Sequence, residues 1–181
     1  MVTGAILEKG EIGYTYLNKL FCLMDNFQKD YNWLITDCEA YPKRMGHNIR
    51  IFQSKYNNYA WIDGEELTNI VSRDDFQWIW GVLSGFDKNV MKTDILKYGL
   101  PYADGYKVFW EEQIGLQHPL ASVELVAWDS SCTLLISNET AIIKKFREVF
   151  PLSEDLKEYN SKIYLCNRKT DTHMKKYHEE N

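Results

Sequence analysis

The stretch Val123–Asn138, VELVAWDSSCTLLISN, sets Asp129, Ser130, Ser131 and Cys132 side by side, the densest run of reactive side chains in the chain. A serine or cysteine nucleophile here would need a general base within hydrogen-bond reach, and the nearest histidine in sequence is His118, just before Pro119. No GxSxG elbow is present, and Cys132 opens a strand-like run rather than a helix N-terminus that would lower its pKa. Asp and Ser are also turn-forming residues, because their side-chain oxygens bond turn amides. The segment therefore predicts a hairpin turn, not a catalytic centre.

A second pattern is a carboxylate shortly after a tryptophan: Asp37 and Glu39 in WLITDCEAY, Asp63, Glu65 and Glu66 after Trp61 in WIDGEE, and Asp129 after Trp128 in WDSS. Were these strand ends neighbours, they would form an acidic, aromatic-rimmed surface able to chelate a divalent ion, stack a nucleobase or grip Arg and Lys side chains. The competing reading is independent, solvated turns. Cys166, His173 and His178 raise the question of zinc. The five-residue step between the histidines puts them on different faces of a helix and on opposite sides of a strand, so a charged, frayed tail over 166–181 is expected instead. Cys22, Cys38, Cys132 and Cys166 include no CxxC pair and read as reduced, packed thiols. Neither GVLSGF nor GLPYADG has the lysine or the strand-to-helix context of a phosphate loop. No cofactor or metal is called for.

The formal charge is −5, and its distribution says more than its sum: between Asp25 and Asp129 ten Lys and Arg face sixteen Asp and Glu, whereas Ser130 to Asn181 is near balance. All six tryptophans (Trp33, Trp61, Trp78, Trp80, Trp110 and Trp128) fall in that acidic window. A field of this sign repels phosphate backbones and speeds encounter with a basic partner, which disfavours direct nucleic-acid binding. Tryptophans supply interface hot spots, although many are core residues. At 181 residues and 45% hydrophobic composition, the chain can bury about 70% of the surface its unfolded form exposes, enough for one domain without disulfide or metal. No apolar run nears the ~18 residues of a membrane span, and MVTGAILEKGEIGY has no secretory-signal pattern, so a cytoplasmic location is expected.

These side chains need elements to position them. GAILEKG reads as a first strand, and GEIGYTYLNKLFCLMDNF changes to helical period with Tyr16, Leu20, Leu23, Met24 and Phe27 on one face. DYNWLITDCEAYP is a strand closed by Pro42. HNIRIFQSKYNNYAWIDGEELTNIV alternates enough for two or three strands; Asp63-Gly64 fits a tight hairpin turn, with a helix beginning near Gly64 as the competing reading. DDFQWIWGVLSGF suits a buried strand or a helix capped by Ser72 or Asp74, and Gly81 and Gly85 favour the strand. TDILKYGLP predicts a short helix from a Thr93 cap, and GYKVFWEEQIG an extended strand. In the opening stretch Val123, Leu125 and Ala127 point one way and Glu124, Val126 and Trp128 the other, then CTLLISN returns antiparallel. Asn138 caps ETAIIKKFREVF, whose Ile142, Ile143, Phe146, Val149 and Phe150 make an inward stripe, with Glu139 complementing the helix N-terminus. Ser153 begins a further short helix, and SKIYLCNR is either a final strand or a helical continuation.

The stretches GAILEKGEIGYTYLNKLFCLMDNFQKDYNWLITDCEAYP, WIWGVLSGF and VELVAWDSSCTLLISN, in that order, resemble an uncharacterised family of small proteins from Bacillus- and Listeria-like bacteria. The resemblance implies a bacterial or phage-borne cytosolic protein and carries over no catalytic residue. ETAIIKKFREVFPLSEDLKEYN is similar to the ends of small immunity proteins that neutralise toxins.

The expected architecture is one α+β domain over 1–165, a mostly antiparallel sheet with the N-terminal helix and the 139–150 helix packed on it. The expected function is a non-catalytic acidic binder or inhibitor, of immunity or anti-defence type, that covers a basic site on a partner protein. Its contact residues would be Asp37, Glu39, Trp61, Asp63, Glu65, Glu66, Trp128 and Asp129. Direct nucleic-acid and membrane partners are not expected, and self-association stays open. The alternatives are a small hydrolase using a carboxylate-bound metal or a Cys/His pair, and an aromatic-pocket sensor of a small ligand.

Overall fold

In the computed structural model, residues 1–11, 14–40, 42 and 58–164 are described. Strands β1 (Thr3–Leu7), β2 (Tyr31–Ala40), β3 (Tyr59–Asp63), β4 (Trp78–Asp87), β5 (Val123–Trp128), β6 (Cys132–Ser137) and β7 (Glu154–Asp155) form one antiparallel sheet ordered β3-β2-β4-β5-β6-β1-β7. Helices α1 (Leu17–Leu23), α2 (Gly64–Arg73), α3 (Lys92–Ile95) and α4 (Thr140–Val149) join them, with a further helix, α5, over 156–164. The expected α+β fold, with N- and C-terminal helices around an antiparallel sheet, is what the chain adopts. Among the described residues no helix is long and apolar enough to cross a membrane.

Strand alternation divides the apolar side chains between two faces. On the helical face Trp33, Ile35, Leu83, Leu125 and Leu135 pack with Leu20 and Phe21 of α1, Leu67 and Ile70 of α2, and Ile143 and Phe146 of α4. Trp33 is fully buried and donates its indole N–H to the Gln28 carbonyl at 2.8 Å, tying down the 3-10 turn Phe27–Asp30. Gly85 makes room for it: a Cβ there would stand 3.1 Å from the Trp33 ring and 2.7 Å from Val123 Cγ1. The other face is covered by the long β4–β5 connection and α5. Ile6, Val82, Val126 and Leu134 meet Ala103, Phe109 and Leu156, while Leu34 and Phe86 meet Ile95 and Ala121.

The hairpin expected over 123–138 forms, with Val123, Leu125 and Ala127 on the helical face and Val126 and Trp128 on the loop face. Asp129 and Ser130 both take positive φ, 46° and 57°, and the Ser131 amide donates to the Trp128 carbonyl at 2.9 Å, a type I′ turn whose twist matches the flanking strands. Residues 78–87 are a strand, as the glycines indicated.

Several local expectations are corrected. Asp63-Gly64 is not a hairpin turn but the start of α2, the competing reading, because the Asp63 carboxylate accepts the Glu66 amide at 2.7 Å as an N-cap. GYKVFWEEQIG contains the 3-10 turn Lys107–Trp110 rather than a strand, since it buries Phe109 against the sheet instead of joining a ladder. The α4 N-cap is Glu139, not Asn138, and its side chain accepts the Tyr31 hydroxyl at 2.6 Å instead of capping. Met91, not Thr93, precedes α3. On α1, Leu17 and Phe21 are buried and Leu23 is exposed, a rotation of the expected face. Glu154–Asp155 pairs with β1 before α5 begins. The 47–57 part of the stretch expected to hold two or three strands, and the tail over 166–181, lie outside the described residues.

Candidate functional site

Register gathers half of the expected site at one end of the sheet. Glu39 of β2 pairs with Trp80 of β4, and Trp128 of β5 pairs with Cys132 of β6. Gly81 faces Ala127, which brings the adjacent Trp80 and Trp128 rings to 5.0 Å at 67°. Trp110, at the end of the 3-10 turn, packs edge-on against Trp128 at 4.9 Å. The three indoles are half-buried, and Glu39, Asp37 and Asp129 are exposed beside them. The edge-to-face contacts fill the space between the rings, so the feature is a surface rather than a cage.

Asp37 sits at a β-bulge with φ 47°, and one carboxylate oxygen accepts both the Ala103 and Asp104 amides, at 2.7 and 2.9 Å. It therefore fastens the long connection that carries Trp110. Asp37→Gly keeps the positive φ available and removes the acceptor. The expected result is a loss of about 1–2 kcal/mol and faster amide exchange at Ala103 and Asp104 than in the native protein.

The other half of the expected site lies elsewhere. Asp63 pairs with Asn32, five residues before Asp37 on β2, which places the two roughly 16 Å apart along the strand. Asp63 is committed to capping α2, Glu65 pairs with Lys29 at 3.1 Å, and Trp61 leans on Phe86 at 5.8 Å. Glu66 is exposed in the first turn of α2. The eight residues thus form two separate groups, with Trp33 and Trp78 buried in the core.

The nucleophile-and-base possibility is not assembled. Ser130 is held by its amide against the Ile79 carbonyl at 3.0 Å, whereas His118 packs on Phe86 at 4.8 Å, toward the opposite end of β4. The His118 Nδ1 accepts the Leu120 amide at 3.2 Å, which leaves Nε2–H to donate to the Ile95 carbonyl at 3.1 Å. Burial lowers its pKa below the usual histidine value and keeps the ring neutral. Burial is also the main reason the Cys132 thiol is pushed up to about 12, which makes it unreactive. Among the described residues no group of His, Cys, Asp and Glu side chains comes together in a metal-ligating arrangement.

The residue that sequence reasoning missed is Glu124. It is fully buried on the loop face between two apolar clusters, where its carboxylate accepts the Gln117 amide at 2.7 Å, the His118 amide at 2.8 Å and the Ser84 hydroxyl at 3.2 Å. Burial, partly offset by those donors, pushes its pKa up to about 7. The available signal was an acid among Val123, Leu125 and Val126, in a strand with no other charge. A shallow groove of about 490 Å³ between α4 and the β1–β7 edge, lined by Thr3, Ile143 and Arg147, contains none of the expected site residues. Comparison of the chain with protein-family models, with curated proteins and with solved structures gives no match.

Proposed function

We propose that the protein is a non-catalytic binder that docks a basic surface of another protein onto the sheet end formed by Glu39, Trp80, Trp128, Asp129 and Trp110. The observation that carries this reading is the row Glu39–Trp80–Trp128 across three adjacent strands, extended by Trp110. Large, pre-packed indoles lose little conformational freedom on binding, and flanking carboxylates steer a cationic partner. An immunity or anti-defence role fits such chemistry, since neutralising a basic active site requires coverage rather than catalysis. Trp61, Asp63, Glu65 and Glu66 are not part of this face.

The test compares capture of host proteins by three forms of the tagged chain: native, Glu39→Lys/Asp129→Lys, and Glu65→Lys/Glu66→Lys. One basic protein retained by the native and the Glu65/Glu66 forms, and bound about tenfold or more weakly by the Glu39/Asp129 form, is the expected result. Equal loss in both variants, or no partner specific to the native chain, overturns the reading.

A further inference from the structure

The long β4–β5 connection carries a run of exposed apolar residues. Of the eleven exposed large hydrophobic residues among the described residues, six fall between 91 and 108: Met91, Leu96, Tyr98, Leu100, Tyr102 and Val108. Tyr and Met are enriched at protein interfaces, and contiguous exposed apolar patches mark docking sites. This segment is also net basic in a chain that is acidic overall. Residues 88–108 hold four lysines (Lys88, Lys92, Lys97 and Lys107) against two aspartates (Asp94 and Asp104), within a molecule whose formal charge is −5. It adjoins the acidic, aromatic sheet end, because Asp37 holds Ala103 and Asp104 directly.

A basic, apolar segment that meets an acidic, aromatic sheet end at Asp37 is an arrangement that a two-fold axis can match with itself. Each copy then offers its segment to the other copy's complement, so that one kind of contact is made twice and the assembly closes. We infer that the occupant of this face is a second copy of the chain, with the 91–108 segment of each copy seated on the Glu39–Trp80–Trp128–Asp129 surface of the other. The inference rests on the sheet end being a docking face, as under Proposed function. A basic partner would compete with the second copy for that face.

The experiment uses the full chain alone, in sedimentation velocity across a concentration series. The native protein is expected to dimerise, and raised salt is expected to weaken the dimer. Leu96→Glu/Leu100→Glu, at two exposed positions, is expected to give a monomer with an unchanged melting midpoint. Charge exchange then tests the pairing. Lys97→Glu/Lys107→Glu and Glu39→Lys/Asp129→Lys are each expected to weaken self-association about tenfold, and an equimolar mixture is expected to form the heterodimer, because both contacts become attractive again. A native chain that stays monomeric up to its solubility limit overturns the inference, as do leucine variants that still dimerise or a mixture that does not pair. A monomeric chain whose partner capture still depends on Glu39 and Asp129 overturns only the dimer. A dimer that forms while no partner depends on those residues overturns only the Proposed function.

Discussion

Gly64→Ala is expected to destabilise the protein by about 3 kcal/mol or more, lowering the melting midpoint by roughly 6–12 °C. Gly64 is the first residue of α2, and the backbone of the Phe27–Asp30 turn lies directly against it. A Cβ at this position would stand 2.6 Å from the Lys29 Cα and 2.8 Å from the Gln28 carbonyl carbon, and closer still to that carbonyl oxygen. Backbone cannot rotate away as a flexible side chain can, so either α2 or the turn must shift. The turn is fixed in turn by the Trp33 indole and by the Gln28 side chain, which donates to Thr68 at 2.7 Å. Thermal and urea unfolding would measure the loss. A midpoint within 2 °C or so of the native value, less than the shift of 1 kcal/mol, would show that the two elements separate freely.

The second large effect is one of pH. The Glu124 carboxyl, pushed up to about 7 in the folded protein, has an ordinary value of 4.5 when the chain unfolds. The folded state therefore holds this proton more tightly than the unfolded state. The contribution is full below about pH 4.5 and is lost as pH rises through about 7, a span worth roughly 3 kcal/mol. His118 acts in the opposite sense: its lowered pKa favours the neutral ring, so its contribution is present above 6.5 and is lost as pH falls through the folded value. Comparing Glu124→Gln with the native protein cancels the histidine and isolates the carboxyl. The amide leaves one backbone N–H facing an NH₂ group, so the variant is expected to be the less stable form at pH 4.5. The gap should close by about 3 kcal/mol by pH 8. Parallel stability curves for the two proteins would show that Glu124 does not titrate in this range.

The sheet was legible because its strands announce themselves locally: Val123–Trp128 and Cys132–Ser137 are short sheet-prone runs, and between them Asp129 adopts the positive φ that its residue type tolerates. What the sequence hid depended on distant partners. Asp63-Gly64 carries the residue types of a hairpin turn, yet the aspartate is used to cap α2, and the glycine is needed for clearance over Gln28. Lys107–Trp110 has the composition of a strand, but its rings are used against Trp128 and Tyr106. Glu124 alternates onto a face that reads as solvent-exposed until the 88–122 connection is folded over it and supplies the Gln117 and His118 amides. The grouping of Asp37, Glu39 and Asp129 apart from Asp63 follows from strand register, which tryptophan-to-acid spacing does not encode.

β7 closes the sheet with only two residues, bonded to Ala5 and Ile6 of β1. Lys9 and Lys162 converge on its Glu154 at 2.9 and 2.6 Å, so the outermost rung is both brief and ringed with charge. An open ladder is a template on which stray chains polymerise, and a short, ionic last strand deprives them of the row of free amides they would copy. The chain thereby guards this flank against fibrillar stacking.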